Sequence, residues 1–250
     1  TVIGLLYADD IVLLTATLPA MQAVINHLEA AMQDLQLQFN VQKCTAMVVT
    51  ATDTNTQHGT IKLLLSDKQI PNVPVTRILG VLVGNSKSSL YTEHYNKLQT
   101  NTWNAINKLK LTGAFGEFGA SVALKNRLIK TILYGTLGFG ARCIPCPQQT
   151  QELARAVSFV TAKLTGTNKH ASIVARHAIL KYEPVHLYYI KQHVNYYHHI
   201  LQMNRSRIPY HILGLASVYH TEWWNFVQPY MHDAGPNPNL NLNAWLGIHL

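Results

Sequence analysis

Charge is scarce in this chain of 250 residues, and negative charge is scarcest: 12 Asp and Glu stand against 20 Lys and Arg, for a formal net charge of +8. With 48% hydrophobic residues, so low a charge content excludes a disordered chain, and the length suffices for one large core or two smaller ones. Cysteine is nearly absent. Three residues, Cys44, Cys143 and Cys146, exclude a disulfide scaffold and fit a reducing compartment. Cys143-Ile144-Pro145-Cys146 has metal-ligand spacing, and ten of the 13 His lie at or after His170, among them His193, His198 and His199. No second Cys pair follows, so two readings stand: a zinc site drawn from that His pool, or a proline turn beside ordinary polar histidines. Long apolar runs are also missing. No stretch reaches the ~18–20 residues that span a bilayer, and residues 131–141 are interrupted by Gly135, Gly138 and Gly140. No membrane partner is expected, and no signal peptide opens the chain. The first residue is Thr1 and not Met, inside a strand-like run, so the chain is expected to be a fragment of a longer protein.

The positive charge is unevenly placed. Residues 1–86 carry four Lys/Arg and six Asp/Glu, residues 87–130 seven and two, and residues 131–250 nine and four. An acidic first part followed by basic parts suits a polyanion held by the later segments; ordinary solvated basic surface is the alternative.

Against this scarcity of acid, Asp9 and Asp10 stand side by side between two apolar runs, 2–6 and 11–14. The runs read as two strands of a hairpin separated by Tyr7-Ala8-Asp9-Asp10. Neither alternates apolar with polar residues, which predicts strands covered on both faces. Two acids in a solvated turn would simply point apart. At the tip of a covered hairpin they would instead form an acidic floor, and adjacent acids there either raise a pKa or hold a cation. Mg²⁺ takes oxygen ligands, commonly one or two carboxylates plus phosphates.

Downstream, Thr17-Leu18-Pro19 opens a helix that runs to about Leu37 with a stripe of Met21, Val24, Leu28, Met32 and Leu35. Strands are expected at 46–50, 61–65 and 75–83, with a polar loop at 52–60 and a turn around Pro71-Asn72. From Leu90 the pattern turns helical. Tyr91, Tyr95, Leu98, Ala105 and Leu109 form one stripe, with a break at 113–119. A second helix, 122–134, places Leu124, Leu128 and Ile132 on its inner face, and further helices are expected at 148–164, 172–182 and 185–203. The tail from Pro229 has no clear period. The fold class is α+β for 1–86 and mostly α thereafter.

Tyr7-Ala8-Asp9-Asp10, flanked by hydrophobic runs, resembles the YxDD motif of reverse transcriptases. Leu37-Gln38-Phe39-Asn40-Val41-Gln42-Lys43-Cys44-Thr45 resembles the segment that follows the palm helix in that family. Thr76-Arg77-Ile78-Leu79-Gly80-Val81 resembles the one that leads into its primer grip, with Arg77 and Ile78 in place of the commoner residues. Leu133-Tyr134-Gly135 resembles the end of a thumb helix in the non-LTR (LINE-type) retrotransposon enzymes. The likeness covers about residues 1–145.

The resemblance implies part of a right-hand polymerase: 1–86 as the C-terminal part of the palm with its primer-grip hairpin, 87–145 as a helical thumb, and 146–250 as a helical region of unknown role. Asp9 and Asp10 would bind the Mg²⁺ ions of two-metal nucleotidyl transfer (Mn²⁺ as a substitute), Asp9 more directly. Tyr7 would pack near the primer end and Ala8 would leave room for the primer backbone. Lys43 would sit near the incoming dNTP, or else be a surface lysine at a helix end; Asn40 would cap that turn. Leu79 and Gly80 would shape the primer grip, with core packing an equal account. Lys97, Lys108, Lys110, Lys125, Arg127 and Lys130 would grip the RNA template and DNA primer duplex through phosphates, or form a solvated face. Trp103, Trp223, Trp224 and Trp245 would stack bases or fill cores. A nuclear site is implied by resemblance alone.

The family also needs a third aspartate and fingers residues, both upstream of YxDD, and only six residues precede Tyr7. The 250 residues alone are therefore expected to be inactive as a polymerase. The alternatives are a group II intron maturase-like protein, which shares YADD and a basic thumb, and a non-catalytic nucleic-acid-binding remnant.

Overall fold

The computed structural model describes residues 2–50, 61–86, 90–115, 121–142, 144, 150–168 and 170–231. The chain divides into two units, Thr1–Asn96 and Lys97–Leu250. The strands lie in the first and the second is helical, so the fold is α+β. Among the described residues there are three separate two-stranded antiparallel sheets.

In the first unit, β1 (Val2–Tyr7) and β2 (Asp10–Thr15) form the expected hairpin, but the strands reach further than the apolar runs suggest. Tyr7 pairs with Asp10, which leaves Ala8-Asp9 as a two-residue turn. Ala8 has φ +52° while Asp9 is not among the positive-φ residues, the sign pattern of a type II′ turn, in which glycine is usual at the first position. The expectation of cover on both faces fails. Every residue of β1 is exposed, Leu6 to 76%, because among the described residues β1 pairs with β2 alone and α1 packs mainly on β2.

Thr17 caps α1 (Leu18–Asp34), its side chain accepting from the Ala20 N–H at 3.4 Å, with Pro19 in the first turn. The helix ends three residues before the expected Leu37. Gln36 enters the left-handed region at φ +57°, Leu37 N–H donates to Met32 O (2.8 Å) and Gln36 N–H to Gln33 O (2.9 Å), the Schellman pair that closes a helix. The packed face is also rotated from the expected stripe. Ile25 is buried with Met21 against Leu13, Phe39, Val41 and the buried Ile61, Leu63, Leu65 and Ile70. Val24 and Leu28 instead line an open apolar groove with Val2, Ala20, Ala23 and His27, and Leu35 is exposed.

The remaining expected strands are shorter or folded back. Residues 46–50 make isolated parallel bridges, Ala46 to Asn72 and Thr50 to Ser86. The 61–65 run contributes only β3 (Leu64–Leu65), which turns through Ser66 and Asp67, both at positive φ, into β4 (Lys68–Gln69). The single strand expected at 75–83 is a hairpin of β5 (Val75–Ile78) and β6 (Val81–Gly84). Loop 52–60 lies outside the described residues.

Helix α2 (Thr92–Leu111) carries the chain from the first unit into the second. Its buried positions are His94, Leu98, Thr102, Ile106 and Leu109. Two are polar, which is why an apolar count misplaced the stripe. His94 Nδ1 accepts from the Leu82 N–H at 3.3 Å, and Thr102 Oγ1 donates to Leu98 O at 2.7 Å. The second unit continues with α3 (Val122–Leu137), α4 (Thr150–Thr165), α5 (Ile173–Leu180) and α6 (Val185–Leu201). Two further helices, α7 (Ile208–Val218) and α8 (Glu222–Val227), have no sequence expectation. Both are short, and α7 is apolar nearly all round, so neither shows a helical period. Val227 of α8 joins Leu187, Ile190 and Val194 of α6 in a buried cluster bordered by Trp223 and Phe226.

Candidate functional site

The hairpin end gathers Tyr7, Ala8, Asp9 and Asp10, all exposed. Strand pairing sorts the side chains. Val2, Gly4, Leu6, Ile11 and Leu13 share the face that packs toward α1, where Leu13 meets the core. Ile3, Leu5, Tyr7, Asp10, Val12 and Leu14 share the opposite face. Asp10 thus lies at the end of an open apolar face beside Tyr7, and Asp9 occupies the turn.

The other expected residues of the first unit lie on separate turns. Lys43 ends a 3₁₀ turn (Val41–Lys43) and is exposed. Asn40 caps that turn, its Oδ1 accepting from the Gln42 N–H at 3.1 Å. Among the described residues Lys43 makes no ion pair with either aspartate. Leu79 and Gly80 are the two central residues of the β5–β6 hairpin, at φ +47° and +89°. Positive φ at both positions is the type I′ pattern, which explains Gly80. Leu79 is 52% exposed, so core packing does not account for it.

The implied Mg²⁺ is tested by the donors present. Two carboxylates offer the hard oxygens it prefers, yet no group of three His, Cys, Asp or Glu that could hold a metal ion occurs among the described residues. Asp9 and Asp10 alone therefore do not make a complete metal centre among the described residues. Cys143 and Cys146 lie outside the described residues.

The basic residues divide. Helix α3 is rotated from its expected face: Lys125, Ile129, Leu133 and Leu137 are buried, while Leu124 and Leu128 are exposed. Lys125, 9% exposed, is therefore withdrawn from any solvent-facing stripe. Lys130 belongs to a polar row at four-residue spacing that holds the carbonyls after α5. Asn126 Nδ2 donates to Leu180 O (3.1 Å), Lys130 Nζ to Lys181 O, and Tyr134 OH to Glu183 O (2.7 Å). Lys130 also lies 4.9 Å from the centre of the Tyr182 ring, and burial lowers its pKa. Burial, with the Glu183 charge second, raises that of Tyr134. Arg127, Lys97, Lys108 and Lys110 remain exposed.

Of the tryptophans, Trp223 donates from Nε1 to Arg142 O at 3.2 Å and borders the α6–α8 cluster. Trp103 is half-buried against Phe159, with ring centres 5.8 Å apart; Trp245 lies outside the described residues. Sequence reading missed Phe159 and Lys163, because nothing in the order of residues sets α4 beside α2. Family models, curated proteins and solved structures yield no match to this chain.

Proposed function

We propose that this chain is part of an RNA-directed DNA polymerase of the non-LTR retrotransposon type, comprising the end of the palm and the helices that follow it. The observation that carries the reading is the placing of Tyr7-Ala8-Asp9-Asp10 at the tip of an antiparallel hairpin backed by α1. Two observations support it. The Leu79-Gly80 segment forms a second tight hairpin, the shape a primer grip requires. And β1, Val-Ile-Gly-Leu-Leu-Tyr, has the composition of a strand with neighbours on both sides, while among the described residues it pairs with β2 alone and each of its residues is exposed. In the proposed enzyme a further palm strand covers β1 and brings the third carboxylate, which with Asp9 and Asp10 completes the site for two Mg²⁺ ions. Those ions would stabilise the attacking and leaving oxygens of nucleotidyl transfer.

The sequence encoded immediately before Thr1 tests this. The reading expects an apolar strand bearing an Asp there. A reading frame that stops, or one that continues without such a strand, favours the non-catalytic nucleic-acid-binding protein. Primer extension by the 250 residues alone, with Mg²⁺ and dNTPs, is expected to be absent.

A further inference from the structure

The second unit carries 15 Lys/Arg against five Asp/Glu, while the first carries five against seven. Part of the excess lies where α2 meets α4. Lys110 Nζ lies 4.7 Å from the centre of the Phe159 ring and Lys163 Nζ lies 5.9 Å from it, which places the two ammonium groups within about 11 Å of each other. Trp103, seven residues before Lys110 on the same side of α2, stacks obliquely on that ring. Glu152, four residues before Ala156 on α4, is paired with Arg155. Among the described residues neither Lys110 nor Lys163 makes an ion pair.

Two like charges at this separation repel across little more than a Debye length. A cation–π contact near the surface offsets that repulsion only in part. Both lysines stand in the last turns of their helices, where the helix dipole favours them slightly, but that would hold equally for lysines pointing apart. Convergence on one ring instead gathers two ammonium groups without an ion-pair partner at one patch, a charge that a polyanion would neutralise.

We propose that α2 and α4 together form a binding site for a single strand of nucleic acid, with Lys110 and Lys163 holding its phosphates and Trp103 and Phe159 forming the apolar floor on which a base rests. The site rests on the proposed function only in taking nucleic acid as the polyanion; it needs neither aspartate. It also gives a role to a helix beyond residue 145, outside the segment that resembles the polymerases.

Binding of a fluorescein-labelled 20-nucleotide single-stranded RNA to the full chain, measured by anisotropy from 50 to 200 mM KCl, tests the proposal. Each phosphate contact to a single strand contributes about 0.7 to the slope of log K against log salt. The K110Q/K163Q variant is therefore expected to bind more weakly with a slope shallower by about 1.4, and K110R/K163R to keep the original slope. Binding should also change tryptophan fluorescence in the parent and not in Trp103→Phe. An unchanged slope in K110Q/K163Q overturns the site while leaving the polymerase reading standing. Displacement of the RNA by poly-glutamate at equal charge also overturns it, pointing to an acidic protein segment instead. A chain that binds no RNA at all refutes both the site and the nucleic-acid partner.

Discussion

Leu79 holds a backbone conformation that a branched side chain adopts only at a cost of about 1–2 kcal/mol, and it does so at the exposed tip of a hairpin. Asn-Gly is the pair that a type I′ turn prefers. Leu79→Asn is therefore expected to raise stability by roughly 1 kcal/mol, read as a higher urea midpoint at unchanged slope. If the strain is kept because this tip meets a primer, the same substitution should weaken binding of a template–primer duplex; a gain in stability with intact binding would leave Leu79 unexplained. Gly138 shows the opposite constraint. A Cβ there would stand 2.2 Å from the Tyr188 hydroxyl and 2.7 Å from the Tyr134 carbonyl. Gly138→Ala should cost about 1–3 kcal/mol, and a variant as stable as the parent would show that Tyr188 moves aside freely. The turn at Gly80 was not legible in the sequence, where one unbroken strand was expected over 75–83. Ala8 and Leu79 at positive φ were not legible either, since neither residue type announces that conformation.

At the scale of elements, helix α3 was legible in its existence and start, because its apolar residues repeat at helical spacing from Val122. Its rotation was not. Counting apolar residues favours Leu124 and Leu128, but Asn126, Lys130 and Tyr134 are needed on the side where α5 ends in a left-handed Lys181 and its carbonyls lack partners. Satisfying those carbonyls turns Lys125 inward and Leu124 outward, to 57% exposure. Tyr134→Phe removes one of these bonds and should cost about 1 kcal/mol. Lys130→Met should likewise destabilise the fold, yet leave the salt slope of RNA binding as it was. A shallower slope in that variant would return Lys130 to the nucleic-acid surface and contradict its structural role. The hairpins β1–β2 and β5–β6 follow the same logic: the apolar runs marked their strands, but two-residue turns are set by backbone register that residue type only partly specifies.

At the scale of the whole molecule, two buried histidines tie folding to pH. His193 is fully buried, with Nδ1 2.8 Å from Tyr189 O and Phe226 4.9 Å from its ring centre. His177 lies between Arg176 and Tyr182. Burial pushes both pKa values down, and the Arg176 charge adds to this at His177. The unfolded chain, with histidines near pKa 6.5, then binds more protons than the folded one. Stability is whole above about pH 6.5 and falls as the pH drops below it, by up to about 1.4 kcal/mol per unit for each histidine. The urea midpoint should drop between pH 7.5 and pH 5.5, and less so in His193→Gln; equal midpoints would mean that water reaches both rings.

The acidic first unit, the basic second unit and the α+β order were all readable from composition and periodicity. The meeting of α2 with α4 was not, because it depends on packing across some fifty residues of chain. The proposed enzyme depends on Asp9 and Asp10 belonging to its metal centre. The most direct test is primer extension on an RNA template with Mg²⁺ by this chain expressed together with the coding sequence that precedes Thr1. DNA synthesis that Asp9→Asn abolishes, while RNA affinity and stability stay as in the parent, is the predicted result; synthesis that survives Asp9→Asn would contradict it.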